Sequence, residues 1–129
     1  MSFDVGLMCY QNGEPATFSR ALLERAFDSI ADRSNPGDWI LRNGGTLYVK
    51  EGDEITGFAV NRPPEFEAFW QAIMEILQQT SSVFYWPGGG CVVANAEVAK
   101  HLPNYLTDAL GAPVVTTDPL EILELIRNS

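Results

Sequence analysis

Basic residues are scarce in this chain. Eight lysines and arginines stand against seventeen aspartates and glutamates, a formal charge of −9 with the histidine neutral. A body of that sign repels phosphate backbones and anionic lipid headgroups, so binding to nucleic acid or membrane is not expected. Cysteine is scarce too: Cys9 and Cys91 lie far apart, with no CxxC or other ligand-spaced cluster. One histidine, His101, and two separated thiols do not recognisably supply the three or four convergent ligands of a metal site. Neither metal nor cofactor is therefore expected. Two buried free thiols are the first expectation for the cysteines, a single bridge the alternative. No run approaches the roughly 18 apolar residues of a membrane span. The first residues, Met1-Ser2-Phe3-Asp4-Val5, show no basic region followed by an apolar stretch. No secretory signal is expected, and the expected compartment is the cytoplasm.

Apolar residues, by contrast, make up 46% of the 129 positions, and 11% are aromatic. Disordered chains are poor in such residues, so a folded core is expected. The length suits one domain spanning 1–129, since domains most often hold about 100–150 residues.

Residues 3–10 have the length and apolar content of a buried strand, closed by turn chemistry at 11–15. Ser19 then caps a predicted helix, with Phe18 and Leu23 at the two positions of a hydrophobic staple. Leu22, Leu23, Ala26, Phe27 and Ile30 recur at helical spacing, while Arg20, Glu24, Arg25 and Asp28 are placed toward water. A β-meander follows over 39–42, 46–50 and 55–60, its first turn marked by Asn43-Gly44-Gly45, residues that accept positive φ. Pro63 and Pro64 are placed in the first turn of the clearest helix, where a missing N–H is harmless and Glu65 and Glu67 suit the dipole. Its apolar face is Phe66, Phe69, Trp70, Ile73, Met74, Ile76 and Leu77. Two short strands, 83–86 and 91–94, flank Pro87-Gly88-Gly89-Gly90. Asn95 caps a helix that Pro103 interrupts and Gly111 ends. A strand over 112–117 and a final helix follow. That helix opens on the capping box Asp118-Pro119-Leu120-Glu121 and carries Leu120, Leu123 and Ile126 on one side. Hairpin-linked strands beside about four helices predict an α+β fold, a mixed but mainly antiparallel sheet with helices packed on it. Residues 92–115 read as a strand–helix–strand unit that would add a parallel pair.

Candidate chemistry is sparse. The glycine run leaves backbone N–H groups unshielded, as phosphate cradles do, but no GKS/T follows and a strand replaces the helix. A hairpin loop is the plainer reading. With Tyr85 and Trp86 beside Gly88 and Gly89, it is also a candidate contact surface. Cys91 and His101 would form a nucleophile–base pair only if they met, and spacing says nothing of that. Arg62, at a strand-to-helix corner, either clamps a carboxylate ligand or pairs with a neighbouring acid. Glu51, Asp53 and Glu54 cluster on a predicted turn, solvated there or acting as an acidic docking patch.

Residues 4–10, Asp-Val-Gly-Leu-Met-Cys-Tyr, and 83–90, Val-Phe-Tyr-Trp-Pro-Gly-Gly-Gly, look like parts of uncharacterised bacterial proteins of similar length. In overall build the chain resembles the immunity proteins of bacterial polymorphic-toxin and contact-dependent-inhibition systems. The resemblance implies a small acidic domain that neutralises a cognate toxin, frequently a basic nuclease, by covering its active surface. No site residue is carried over from it by position. Without a catalytic motif, a binding protein is expected before an enzyme. Its expected contacts are Glu51, Asp53, Glu54, Tyr85, Trp86, Gly88 and Gly89, and its expected partner a positively charged toxin domain. The alternatives are a small ligand-binding or enzymatic domain using the glycine loop with Cys91 or Arg62, and a subunit of a larger assembly.

Overall fold

A computed structural model describes residues 4–42 and 44–129; Phe3 of the first predicted strand and Asn43 of the predicted hairpin turn lie outside the described residues. Strand β1 (Asp4–Gln11) runs through the middle of the sheet and sends its residues alternately to two apolar clusters. Val5, Leu7 and Cys9 enter one; Tyr10 enters the other, with Met8 packed against it. A slip of one residue would exchange the two sets, so the pattern fixes the register.

Around it the chain forms β2 (Glu14–Pro15), β3 (Phe18–Ser19), α1 (Arg20–Ala26), β4 (Ala31–Asp32), β5 (Asp38–Leu41), β6 (Thr46–Tyr48), β7 (Glu54–Ile55) and β8 (Gly57–Asn61). Then come α2 (Glu67–Gln79), β9 (Ser82–Tyr85), β10 (Cys91–Val93), α3 (Ala96–Ala99), α4 (Asn104–Leu110), β11 (Val114–Val115) and α5 (Pro119–Arg127). The main sheet has the order β11-β10-β9-β1-β8-β6-β5-β4, with β2 hooked onto the end of β1; β3 and β7 pair separately. Neighbours are antiparallel except β10 and β11, which are parallel and joined by α3 and α4. The fold is α+β with a mixed, mainly antiparallel sheet, and residues 92–115 are the expected strand–helix–strand unit.

Helices α1, α2 and α5 cover one face. Seven side chains of α2 are buried there, Phe69, Trp70, Ala72, Ile73, Met74, Ile76 and Leu77, against Leu7, Phe84 and Val92 of the sheet. On the opposite face, Val98, Leu102 and Leu106 from the α3–α4 segment cover Tyr10, Val83, Cys91 and Val93. That second cover reaches only the β1-β9-β10 half. Outward residues of β8, β6 and β5 stay exposed, including Tyr48 (45%) and Ile40 (56%). Among the described residues no helix is long and apolar enough to cross a membrane.

Several elements depart from the sequence pattern. Ser19 caps α1 as expected, its Oγ accepting from Ala21 N–H at 3.2 Å, and Phe18 and Leu23 are both buried. The helix stops at Ala26 instead of reaching Ile30. A turn carries Ile30 into the core, and its carbonyl accepts from Arg42 N–H at 2.8 Å, which delivers the chain to β4. Pro63 and Pro64 precede α2 instead of opening it. Each proline disfavours helical geometry in the residue before it, here Arg62 and Pro63, and the helix begins at Glu67 with Phe66 as N-cap. The predicted 55–60 strand is broken at Thr56 because Ile55 pairs with Phe18 in the small sheet. The helix over 96–110, by contrast, is interrupted before Pro103 as expected, and Pro103 becomes the N-cap of α4.

The start of α5 differs in its wiring. Asp118 accepts from Leu120 N–H at 3.0 Å, but Glu121 does not reach back to the Asp118 N–H. Thr116 stands between them: its Oγ1 accepts from Asp118 N–H at 3.1 Å, and its hydroxyl donates to the Glu121 carboxylate. The buried stripe of α5 is Ile122 and Leu123 with Ile126 partly covered, whereas Leu120 is exposed.

Candidate functional site

The bare half of the sheet carries the best-defined surface feature. Strand register sets Asp38, Tyr48, Ala59, Gly6, Tyr85 and Cys91 in one row across β5, β6, β8, β1, β9 and β10. All point away from α2. Below them run Gly57, Met8 and Val83; above them run Ile40, Thr46, Asn61 and Asp4. Asn61 Nδ2 donates to Asp4 Oδ1 at 2.6 Å, tying the upper row together. Helix α4 reaches the row at Cys91 and at Tyr85, which packs against the same apolar cluster.

Between the two tyrosines the row holds only Ala59 and Gly6. With strands about 4.8 Å apart, Tyr48 and Tyr85 arise about 14 Å from each other over this low floor. Tyr85 leans across Gly6: a Cβ there would lie 2.7 Å from the phenolic oxygen. Gly57 sits so close to the Leu7 carbonyl that a side chain would not fit at all. The result is a groove of about 750 Å³ with Gly57 and Ala59 on the floor and Tyr48, Met8 and Tyr85 as walls. Asp38, Glu51 and Glu54 line it as well, three carboxylates against the single ammonium of Lys50. Burial, and secondarily Tyr105, pushes the Tyr85 phenol above its ordinary pKa, so it remains a neutral donor and acceptor near neutral pH.

The turn carrying these acids is held from behind by Arg20. The guanidinium of Arg20 donates to the Lys50 carbonyl at 2.6 Å and the Pro36 carbonyl at 2.7 Å, and its Nε reaches Glu24 at 3.4 Å. The Arg20 backbone N–H donates to the Asp53 carbonyl at 2.8 Å. Arg20 also stacks on Trp39, 5.5 Å from the ring centroid. Its side chain is only 14% exposed, not turned to water as the helix pattern suggested.

The structure brings some expected contact residues together and separates others. Glu51, Glu54 and Tyr85 share the groove. Asp53 does not line it, but borders a neighbouring cavity with Ser19, Arg20 and Pro36 that Glu51 lines as well. Trp86 is 3% exposed, packs on Phe84, and donates its indole N–H to Ser129 Oγ at 3.1 Å. Burial removes it from the contact surface expected of it, because strand alternation turns it to the helix-covered side. Gly88 and Gly89 do not line the groove; Gly89 lies against the Trp86 ring so closely that a Cβ would overlap it. The glycine run is thus fitted to the tryptophan it covers. The groove residues that sequence pattern did not single out include Gly57, Ala59, Tyr48 and Met8, with Gly6 beneath the Tyr85 ring. Their outward positions follow from period-2 alternation, but their juxtaposition needs the strand order.

Cys91, His101 and Arg62 do not converge. Cys91 is buried under the α3–α4 cover, where its thiol contacts the Gly111 carbonyl at 3.8 Å and burial raises its pKa. His101 Nδ1 accepts from Asn12 N–H at 3.1 Å. Arg62 lies across the sheet beside Trp70 and α5. Both cysteines are free and buried. Among the described residues no three His, Cys, Asp or Glu side chains group as metal ligands. No protein-family model, curated protein or solved structure matches the chain.

Proposed function

We propose that the protein is a small acidic binding protein of the cytoplasm that docks a positively charged protein through the bare sheet face, in the manner of an immunity protein neutralising a cognate toxin. The observation that carries this reading is the groove itself: two tyrosine walls around a side-chain-poor floor, lined by Asp38, Glu51 and Glu54. Tyrosines give a rigid amphipathic contact area and take up little entropy on binding. The carboxylates match a lysine- or arginine-rich surface, and the charge of −9 steers such a partner inward. A partner's basic substrate-binding surface, once pressed on this face, would be closed to its own substrate.

The test is kinetic. A basic partner is captured from the native cell at low salt, and association and dissociation are then measured with the purified pair. Glu51→Lys with Glu54→Lys should slow association by about tenfold or more, and added salt should shrink the difference by screening. Tyr85→Ala should act mainly on dissociation, and Asp53→Lys, outside the groove, should leave dissociation unchanged. A captured partner insensitive to both the double reversal and Tyr85→Ala sinks the reading.

A further inference from the structure

The turn that joins β1 to β2 is closed by one residue from a distant part of the chain. Asn12 and Gly13 form this turn, both in the left-handed region at φ 53 and φ 81. The Asn12 N–H donates to His101 Nδ1 at 3.1 Å, and the Gly13 N–H donates to the His101 carbonyl at 2.9 Å. His101 is itself fixed from behind. Its own N–H donates to the Val98 carbonyl at 2.9 Å, and Val98 and Leu102 on either side of it are buried in the second apolar cluster. One residue thus ties the tip of the β1–β2 hairpin to the α3–α4 segment that covers half of the sheet.

The direction of the first bond fixes the state of the ring. A backbone N–H can only donate, so Nδ1 must be unprotonated, and the neutral imidazole carries its proton on Nε2. The imidazolium form has no acceptor and would set an N–H against the Asn12 N–H. Histidine is the one side chain whose ordinary charge change falls between pH 5 and 8, and this is the only histidine of the chain. The charges around it do not replace the lost acceptor. On its own segment Glu97 and Lys100 pair with each other at 3.1 Å. The end of α2 brings only the uncharged Gln78 and Gln79 to the depression that His101 and Glu97 share. Near the turn the hairpin carries Glu14, which lines the adjoining cavity with Lys100 and Tyr105.

We infer that His101 is a proton-operated clasp: its neutral form holds the β1–β2 turn against the α3–α4 segment, and protonation frees the turn. The stabilisation belongs to the neutral ring, so it is present on the alkaline side of the histidine range and is lost as pH falls through that range. The rest of the hairpin does not depend on His101. The Tyr10 N–H donates to the Ser81 carbonyl and the Ala16 N–H to the Cys9 carbonyl, each at 2.9 Å. His101 does not line the groove, and the clasp stands independently of the docking role proposed there.

The test follows the ¹⁵N-labelled full chain by NMR from pH 7.5 to pH 5.5, a window above the ordinary range of the carboxylates. The ring nitrogens of His101 report its protonation, and at pH 7.5 Nδ1 should show the shift of an unprotonated nitrogen. As the ring takes up its proton, the Asn12 amide should lose about tenfold of its protection from solvent exchange, referred to the intrinsic rate at each pH. Gly13 should lose protection with it, while Tyr10 and Ala16 keep theirs. His101→Asn puts an oxygen in the place of Nδ1 that takes up no proton in this window, so Asn12 should stay protected throughout. His101→Phe keeps a ring without an acceptor and should show the freed turn at both ends of the range. An Asn12 amide that stays protected while the wild-type ring titrates would overturn the proposal. So would an equal fall in His101→Asn, wild-type protection of Asn12 in His101→Phe, or a loss at Tyr10 and Ala16 as large as that at Asn12.

Discussion

Gly6 and Tyr85 face each other across β1 and β9, and the groove depends on that pairing. Without a side chain at Gly6 the tyrosine lies flat over the strand; its ring becomes a wall and leaves the floor low. Valine at position 6 would collide with the end of a movable side chain, not with backbone. The ring should therefore swing outward while the sheet stays paired. Gly6→Val should retain the native circular dichroism spectrum, and the partner that binds the wild type should bind the variant about tenfold or more weakly. Loss of the fold instead would show that the glycine serves packing rather than the groove. Trp86, the residue after β9, shows how chain neighbours come to different ends. It and Tyr85 look alike in sequence, yet one is turned to each face, and only one meets solvent.

At the scale of elements, β7 and the turn before it are held in place by one arginine. Arg20 ties the 50–54 turn to the start of α1 through main-chain acceptors, so the positions of Glu51 and Glu54 depend on a side chain that does not line the groove. Arg20→Met keeps much of the stacking on Trp39 and removes the hydrogen bonds. It should cost about 2 kcal/mol in urea unfolding, because bonds to a charged donor at a largely covered site are lost. It should also reduce partner affinity with the carboxylates intact. The periodic elements were legible in sequence: the stripe of α2, the caps Ser19, Asn95 and Asp118, and the strand–helix–strand unit ending at Val115. Their causes are local, namely alternation, helical spacing and capping chemistry. What was not legible depends on partners distant in sequence. Ile55 leaves the meander because Phe18 pairs with it, Arg20 is covered because Lys50 and Pro36 meet it, and the groove exists only because β1 lies between β8 and β9. The acids on the 51–54 turn were visible as candidates, but not that Asp53 would fall outside the groove that Glu51 and Glu54 line.

At the scale of the whole molecule, titrating groups are buried in both clusters. Burial raises the pKa of Cys9, Cys91, Tyr10 and Tyr85, partly offset at Cys9 by hydrogen bonds with Ser82 and Ser81. For each, the unfolded chain ionises first as pH rises. Their contribution to stability is thus complete below the ordinary values of 9.0 for the thiols and 10.0 for the phenols, and declines from there toward the raised folded values. The urea midpoint should hold steady between pH 7 and 8 and fall between pH 9 and 11, and the thiols should react with Ellman's reagent at pH 8 only as fast as the protein opens. The two halves of the sheet also differ in thickness. Strands β1, β9 and β10 lie between two apolar layers, whereas β8, β6 and β5 have one, and β4 at the edge is two residues long. Amide exchange should accordingly be fastest at β4 and β5 and slowest at β1. A partner seated on the bare side would add the missing third layer, so its arrival would slow exchange most in the strands that are weakest alone. The free chain would then be a protein whose last piece of insulation is carried by another molecule.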